Sequence, residues 1–74
     1  MGTKNNPGDF DCYAKLAPDE PYFIVRGQDI LAPAVVRRWA TLAAEAGVDR
    51  AKIAEAERVA YDMERYQQGK KVPD

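Results

Sequence analysis

Three arginines lie close to the start of a predicted helix. Arg26 precedes the loop that leads into this helix, and Arg37 and Arg38 lie within it, next to Trp39. Guanidinium groups suit phosphate or carboxylate, an aromatic ring can stack on a base, and a helix start adds unpaired amides. The combination predicts a site for a small anionic ligand such as a nucleotide. The full predicted ligand-binding set is Tyr22, Arg26, Gln28, Asp29, Arg37, Arg38 and Trp39.

The same residues also have ordinary structural interpretations. Arg37 and Arg38 can be solvated or can pair with acids of a second helix, and Trp39 lies at a spacing typical of a helix core. Successive helical side chains point about 100° apart, so at most one of the two arginines is expected to face a given pocket. Asp29 can cap or stabilise a turn instead of contacting a ligand.

The composition excludes most catalytic and metal chemistry. The 74 residues contain one cysteine and no histidine, which rules out an internal disulfide, the usual zinc sites and histidine-based catalytic groups. The adjacent acids Asp19 and Glu20 lack the spacing of a calcium loop and are expected to form a solvated turn. Cys12 has no basic neighbour in sequence and is expected to be inert. We therefore predict a protein that is not an enzyme and that uses no metal and no cofactor.

The charge balance and hydropathy constrain the partners. Lysine and arginine total 11 against 12 acids, a net charge of −1, so the chain lacks the positive field that holds nucleic acid nonspecifically. No apolar run approaches the roughly 18 to 20 residues that span a bilayer. The first residues lack the apolar stretch of a signal peptide. We expect a cytoplasmic location, no membrane partner and no nucleic-acid partner.

Two amphipathic helices are predicted in the second half of the chain. Pro33 suits a first helical residue, and apolar residues recur after it with helical spacing, which predicts a helix over 33–46. Gly47 suits a left-handed helix end, and Asp49 suits the cap of a second helix over 50–68. The short connection between the helices predicts an antiparallel hairpin.

The first half of the chain has no helical pattern. Residues 1–12 are rich in Gly, Asn, Asp and Pro, which predicts a flexible N-terminal arm. Residues 21–26 predict an extended or short β segment that packs on the hairpin or pairs between subunits. The predicted fold is mainly α, with residues 13–74 forming one small domain.

The predicted core is thin. The many alanines of both helices permit close approach but bury little area, so the core is expected to rest on larger side chains: Val35, Val36, Trp39, Leu42, Ile53, Val59 and Met63. The segment over 16–31 is expected to fold over the hairpin and add Leu16, Tyr22, Phe23, Ile24 and Leu31. Domains of this size also gain burial by association, and we predict a homo-oligomer.

Part of the chain resembles a group of small, largely uncharacterised proteins of tailed phages, prophages and bacteria. The resemblance covers residues 13–74. It rests on the stretch Asp19-Glu20-Pro21-Tyr22-Phe23-Ile24-Val25-Arg26-Gly27-Gln28-Asp29, followed by Ala32-Pro33, Val36, the Trp39 helix and a final Lys71-Val72-Pro73-Asp74. It implies a setting, that of a phage or mobile-element accessory gene in a bacterial host cell, and no particular reaction.

Within that setting two classes of function compete. One is an oligomeric binder that sequesters a small anionic ligand, for example a nucleotide immune signal, through basic and aromatic contacts at subunit boundaries. It predicts that Arg38→Ala abolishes binding and leaves the fold intact. The other is an interaction module that blocks or adapts a host protein through residues 22–26 or an exposed helix face. A DNA-linked regulator is a weaker third, because the net charge counts against it.

Overall fold

Two packed α-helices dominate the fold. The computed structural model describes residues 1–70, with a short 3₁₀ turn at Tyr13–Lys15 and two α-helices, α1 at Ala32–Glu45 and α2 at Arg50–Lys70. The predicted helical hairpin is confirmed; α1 is shifted one residue towards the N-terminus, and α2 extends two residues further than predicted. Within the described residues no strand forms, and residues 21–26 have no regular secondary structure.

The turn between the helices follows the sequence signals. Gly47 has a φ of 78°, the left-handed conformation that glycine adopts without strain. The Val48 amide donates to the Ala43 carbonyl at 3.0 Å, which closes the end of α1. The Asp49 carboxylate accepts the Ala51 amide at 2.9 Å and caps α2. Both predicted roles are confirmed.

The buried residues between the helices are mainly alanine, which corrects part of the predicted core. Ile53 is buried as predicted, and Val36 packs against the buried cluster. Ala56 and Ala60 are 0% exposed, whereas Val35, Trp39 and Leu42 are exposed. Short side chains let two helices approach closely, and Val35, Trp39 and Leu42 remain exposed outside this contact. We call the buried set the alanine seam: Ala32, Ala40, Ala43, Ile53, Ala56 and Ala60.

The predicted contribution of residues 16–31 to the core is also wrong for most of its large side chains. Phe23 is 87% exposed, and Tyr22, Ile24 and Leu31 are exposed as well. Only Leu16 of that set is half-buried. Two prolines, at 18 and 21, hold the preceding backbone extended, and the contacts of this segment with α2 described below are made through backbone carbonyl groups.

The N-terminal arm lies against α2 through backbone contacts to Glu55. The flexibility of the arm and the boundary of the predicted domain at residue 13 stay predictions. Residues 71–74, with which that domain and the resemblance end, lie outside the described residues. Within residues 1–70, neither helix combines the length and apolar character needed to cross a membrane.

Candidate functional site

One carboxylate on α2 holds the N-terminal arm. Glu55 accepts the Asp9 amide at 2.8 Å and the Phe10 amide at 3.2 Å. The Met1 ammonium group lies 3.1 Å from the same carboxylate. The hydrogen bond from the Asp9 amide, with the nearby ammonium group, lowers the pKa of Glu55 below its ordinary value, against the opposing effect of burial. The residues around Gly8 therefore lie against the first third of α2, at Glu55.

One amide near the end of α2 holds the segment before α1. Gln67 donates from Nε2 to the Gly27 carbonyl at 3.0 Å and to the Asp29 carbonyl at 2.7 Å. The Asp29 carboxylate accepts the Leu31 amide at 2.8 Å. Asp29 therefore has the turn role that the sequence analysis gave as the alternative to ligand contact.

A cleft of about 1110 Å³ lies between the arm, residues 24–28 and one face of α2. Val59 and Met63 provide apolar surface from α2, and Tyr13 and Tyr66 supply aromatic rings. Its other lining residues are Met1, Gly2, Thr3, Lys4, Pro7, Asp11, Ile24, Val25, Arg26, Gly27, Gln28 and Asp62.

The charges of the cleft favour an anion. Lys4 and Arg26 line it, and neither side chain makes a hydrogen bond or ion pair within residues 1–70. Asp62 is balanced by Arg58, whose Nε lies 3.2 Å from its carboxylate. Asp11 is the remaining acid of the lining. The formal balance is therefore two unpaired cations against one unpaired anion.

The structure separates the predicted ligand-binding residues into two groups. Arg26 and Gln28 line the cleft. Tyr22 supports one wall, because its ring packs edge-on against that of Tyr13 with centroids 5.8 Å apart. Arg37, Arg38 and Trp39 are not part of the lining.

Arg37 is engaged in an interhelical ion pair. Its two terminal nitrogens donate to the two carboxylate oxygens of Glu64 at 2.6 and 2.8 Å. The pair lowers the pKa of Glu64 and raises that of Arg37. Pairing with an acid of the second helix is the structural interpretation that the sequence allowed.

Trp39 and Arg38 lie on the outer part of α1. The Lys52 ammonium group lies 5.7 Å from the centroid of the Trp39 ring, a cation–π geometry between the helices. Arg38 is exposed and makes no ion pair or hydrogen bond within the part of the chain that the structure describes.

Sequence reasoning missed the residues that assemble the cleft. Glu55 and Gln67 bind backbone groups about 40 residues away, and no local pattern indicates such a pairing. Lys4 and Tyr13 lie in segments that carry no periodicity. Tyr66 gave the one usable signal, since a tyrosine on a helix edge can stack on a partner.

Comparisons with protein-family models, curated proteins and solved structures give no match to this chain. Among the described residues there is no group of three or more cysteine, aspartate or glutamate side chains placed to hold a metal ion. The functional argument therefore rests on the cleft itself.

Proposed function

We propose that the protein is a non-enzymatic binder that sequesters a small anionic ligand with a planar ring, such as a nucleotide, in the cleft. The observation that carries this proposal is the pair of unpartnered cations, Lys4 and Arg26, beside the rings of Tyr13 and Tyr66. Ligand sites combine an apolar lining with a few convergent polar groups, and this lining has that composition.

Each part of the ligand has a matching group in the cleft. The Arg26 guanidinium suits a phosphate through paired hydrogen bonds, and Lys4 adds a second positive charge. A base has a π face that can stack on tyrosine. Val59 and Met63 add apolar surface to the same lining. The Gln28 amide can donate to or accept from a base edge. The volume of about 1110 Å³ is large enough for a drug-sized molecule.

The resemblance to phage and prophage accessory proteins supplies the biological setting of this proposal. A protein that only withholds a host signal needs affinity and no reacting group, and a chain without histidine fits that requirement. In this proposal the protein acts in the cytoplasm of the host cell, where a nucleotide immune signal would be present.

Titration of the purified protein with nucleoside monophosphates, and with inorganic phosphate alone, tests the proposal. We expect saturable binding of a nucleotide that Arg26→Ala weakens about tenfold or more, since hydrogen bonds to charged groups contribute roughly 1.5–3 kcal/mol. Arg50→Ala removes an exposed charge at the start of α2, outside the cleft, and is the matched control.

Two results would count against the cleft as the site. Equal loss of affinity in Arg26→Ala and Arg50→Ala would indicate a general effect of charge. Loss in Arg38→Ala with none in Arg26→Ala would return the site to the outer part of α1. Native mass spectrometry of protein purified from a bacterial host adds an independent measurement, because a sequestered nucleotide appears as a stoichiometric extra mass.

Exposed aromatic surface favours a second candidate, a module that binds a host protein. Phe23 is 87% exposed, and large exposed aromatic residues are common anchors of protein interfaces. This function predicts that Phe23→Ser removes binding to a host protein and leaves nucleotide titrations unchanged. Saturable nucleotide binding, together with no host protein whose binding depends on Phe23, would favour the small-ligand function.

A further inference from the structure

A single copy of the chain leaves a row of large apolar side chains uncovered along α1. The row begins at the residue before the helix, and its successive members lie four, four and three residues apart in the sequence. At 100° per residue these positions fall within about 80° of the helix circumference. We call them the apolar row, and their side chains are between 39% and 66% exposed: Leu31, Val35, Trp39 and Leu42.

The whole chain exposes more surface than the average compact monomer of its mass. It exposes 6189 Å², whereas a folded monomer of 8.3 kDa is expected to expose about 4600 Å². The radius of gyration is 13.3 Å, against about 11 Å for a compact domain of this length. Part of this excess lies at residues 22–24 and 30, which are between 59% and 87% exposed, and part lies at the apolar row.

The interior of a single copy gives the same indication. No large side chain is fully buried within the described residues, and the buried hydrophobic residues are the members of the alanine seam. Alanine buries little area, so the stabilisation from this seam is small. Association is one of the ways in which a domain of this size completes its core.

Two charged residues on one flank of the apolar row make it complementary to itself. Arg38 and Glu45 lie seven residues apart on the flank away from α2, and neither makes an ion pair or hydrogen bond within residues 1–70. In an antiparallel pair of identical helices related by a twofold axis, the same flanks of the two helices meet. Arg38 of each copy then faces Glu45 of the other.

We propose that Trp39 and Leu42, the C-terminal half of the apolar row, form the centre of a homodimer interface in which two α1 helices pack antiparallel. In this arrangement Leu42 lies close to the twofold axis, two Arg38–Glu45 pairs close the flank, and Val35 and Leu31 lie beyond the end of the other copy's α1. The dimer is independent of the proposed ligand function, because no member of the apolar row lines the cleft.

The test is the molar mass of the full chain in solution, measured by sedimentation equilibrium over a range of concentrations. We expect a mass of twice 8.3 kDa and a roughly tenfold or greater loss of dimer affinity in Leu42→Asp, as for a central interface residue. Ala54→Asp places the same charge at an exposed position of α2 and is expected to leave the dimer intact. Far-ultraviolet circular dichroism checks that both variants remain helical.

A charge exchange tests the antiparallel geometry, and this test does not depend on whether the Leu42→Asp variant folds. Arg38→Glu and Glu45→Arg each place like charges together and are expected to weaken the dimer, whereas the double variant restores both pairs and the affinity. A wild-type monomer at millimolar concentration would overturn the proposal. So would a dimer that is indifferent to Leu42→Asp, or a double variant as weak as the singles.

Discussion

The two helices contact each other differently from the way in which residues 1–31 contact α2. The helices meet at the alanine seam, where Ala56 and Ala60 are 0% exposed. Residues 1–31 are held to α2 by polar groups, with Glu55 accepting amides of the arm and Gln67 donating to carbonyls before α1. Their large apolar side chains remain mostly exposed.

This difference indicates which wall of the cleft can move. Burying alanine costs no side-chain rotamer entropy, and a close-packed seam tolerates little displacement. A hydrogen bond contributes only about 0.5–1.5 kcal/mol net, so a segment held by a few of them opens more readily than the seam. We therefore expect the α2 wall to be the fixed one, and the arm and residues 24–28 to be the walls that adjust to a ligand.

Filling the alanine seam should produce the largest effect. Ala56→Leu adds three carbons where no space is open, and overpacking of this kind costs about 1–3 kcal/mol. For a chain of 74 residues this cost corresponds to a decrease in Tm of roughly 5–20 °C. Thermal unfolding followed by circular dichroism measures it.

Ala54→Leu is the matched control, because it makes the same change on the same helix at an exposed position. Its expected effect is within about 0.5 kcal/mol of zero. Equal destabilisation by Ala54→Leu and Ala56→Leu would show that helix α2 itself, and not the seam, responds to the substitution.

Release of the arm should leave the helices folded. Glu55→Gln replaces one acceptor oxygen by an NH₂ group, which would face the backbone amide donors of the arm and cannot accept from them. We therefore expect the Asp9 and Phe10 amides to exchange with solvent about tenfold faster. Hydrogen exchange by NMR measures this rate, with the amides of α1 as the internal reference.

Gly8→Ala perturbs the contact between the arm and Glu55 from the side of the arm. Gly8 has a φ of 81°, and a Cβ there would clash with the Met1 carbonyl oxygen and lie 2.7 Å from a Glu55 carboxylate oxygen, so the substitution disturbs the arm itself as well as its contact with Glu55. Faster exchange of the arm amides in Gly8→Ala, with no change along α1, would support the contact. A uniform increase along the chain would mean that arm and helices unfold together.

The Glu55 carboxylate also makes the arm contact depend on pH. Its pKa is lowered in the folded chain from the ordinary 4.5, first by the hydrogen bond from the Asp9 amide. The contribution of the docked arm is therefore fully present above a pH of about 4.5 and is lost as the pH falls through the lowered pKa. The chemical shift of the Phe10 amide should follow a transition centred below 4.5, and Glu55→Gln should remove that transition.

The sequence was sufficient for the helical hairpin and not for the cleft. Pro33, Gly47 and Asp49 act within a few residues of their partners, so their roles follow from local geometry. The burial of alanine in place of Trp39 and Leu42 depends on how closely two helices approach, which local spacing does not determine. Arg26 and Tyr66 come together because Glu55 and Gln67 bind backbone groups that are distant in the sequence. No local sequence pattern predicts those contacts.

The smallest expected effect concerns the Arg37–Glu64 pair, which lies at the exposed edge of the alanine seam. Its paired hydrogen bonds are well formed, but both side chains are more than 40% exposed, and solvent screens ion pairs of this kind. We expect Arg37→Gln to lower Tm by a few degrees at most and to leave nucleotide affinity unchanged.

The variants Arg37→Glu and Glu64→Arg, alone and combined, separate the pair from its neighbours. Recovery of Tm in the double variant would assign the effect to this contact. A loss of nucleotide affinity in Arg37→Gln as large as that in Arg26→Ala would instead extend the binding site to the helix edge. Since Arg37 already satisfies both oxygens of Glu64, a ligand at that edge would have to displace an existing pair, and for this reason the cleft is the better placed site.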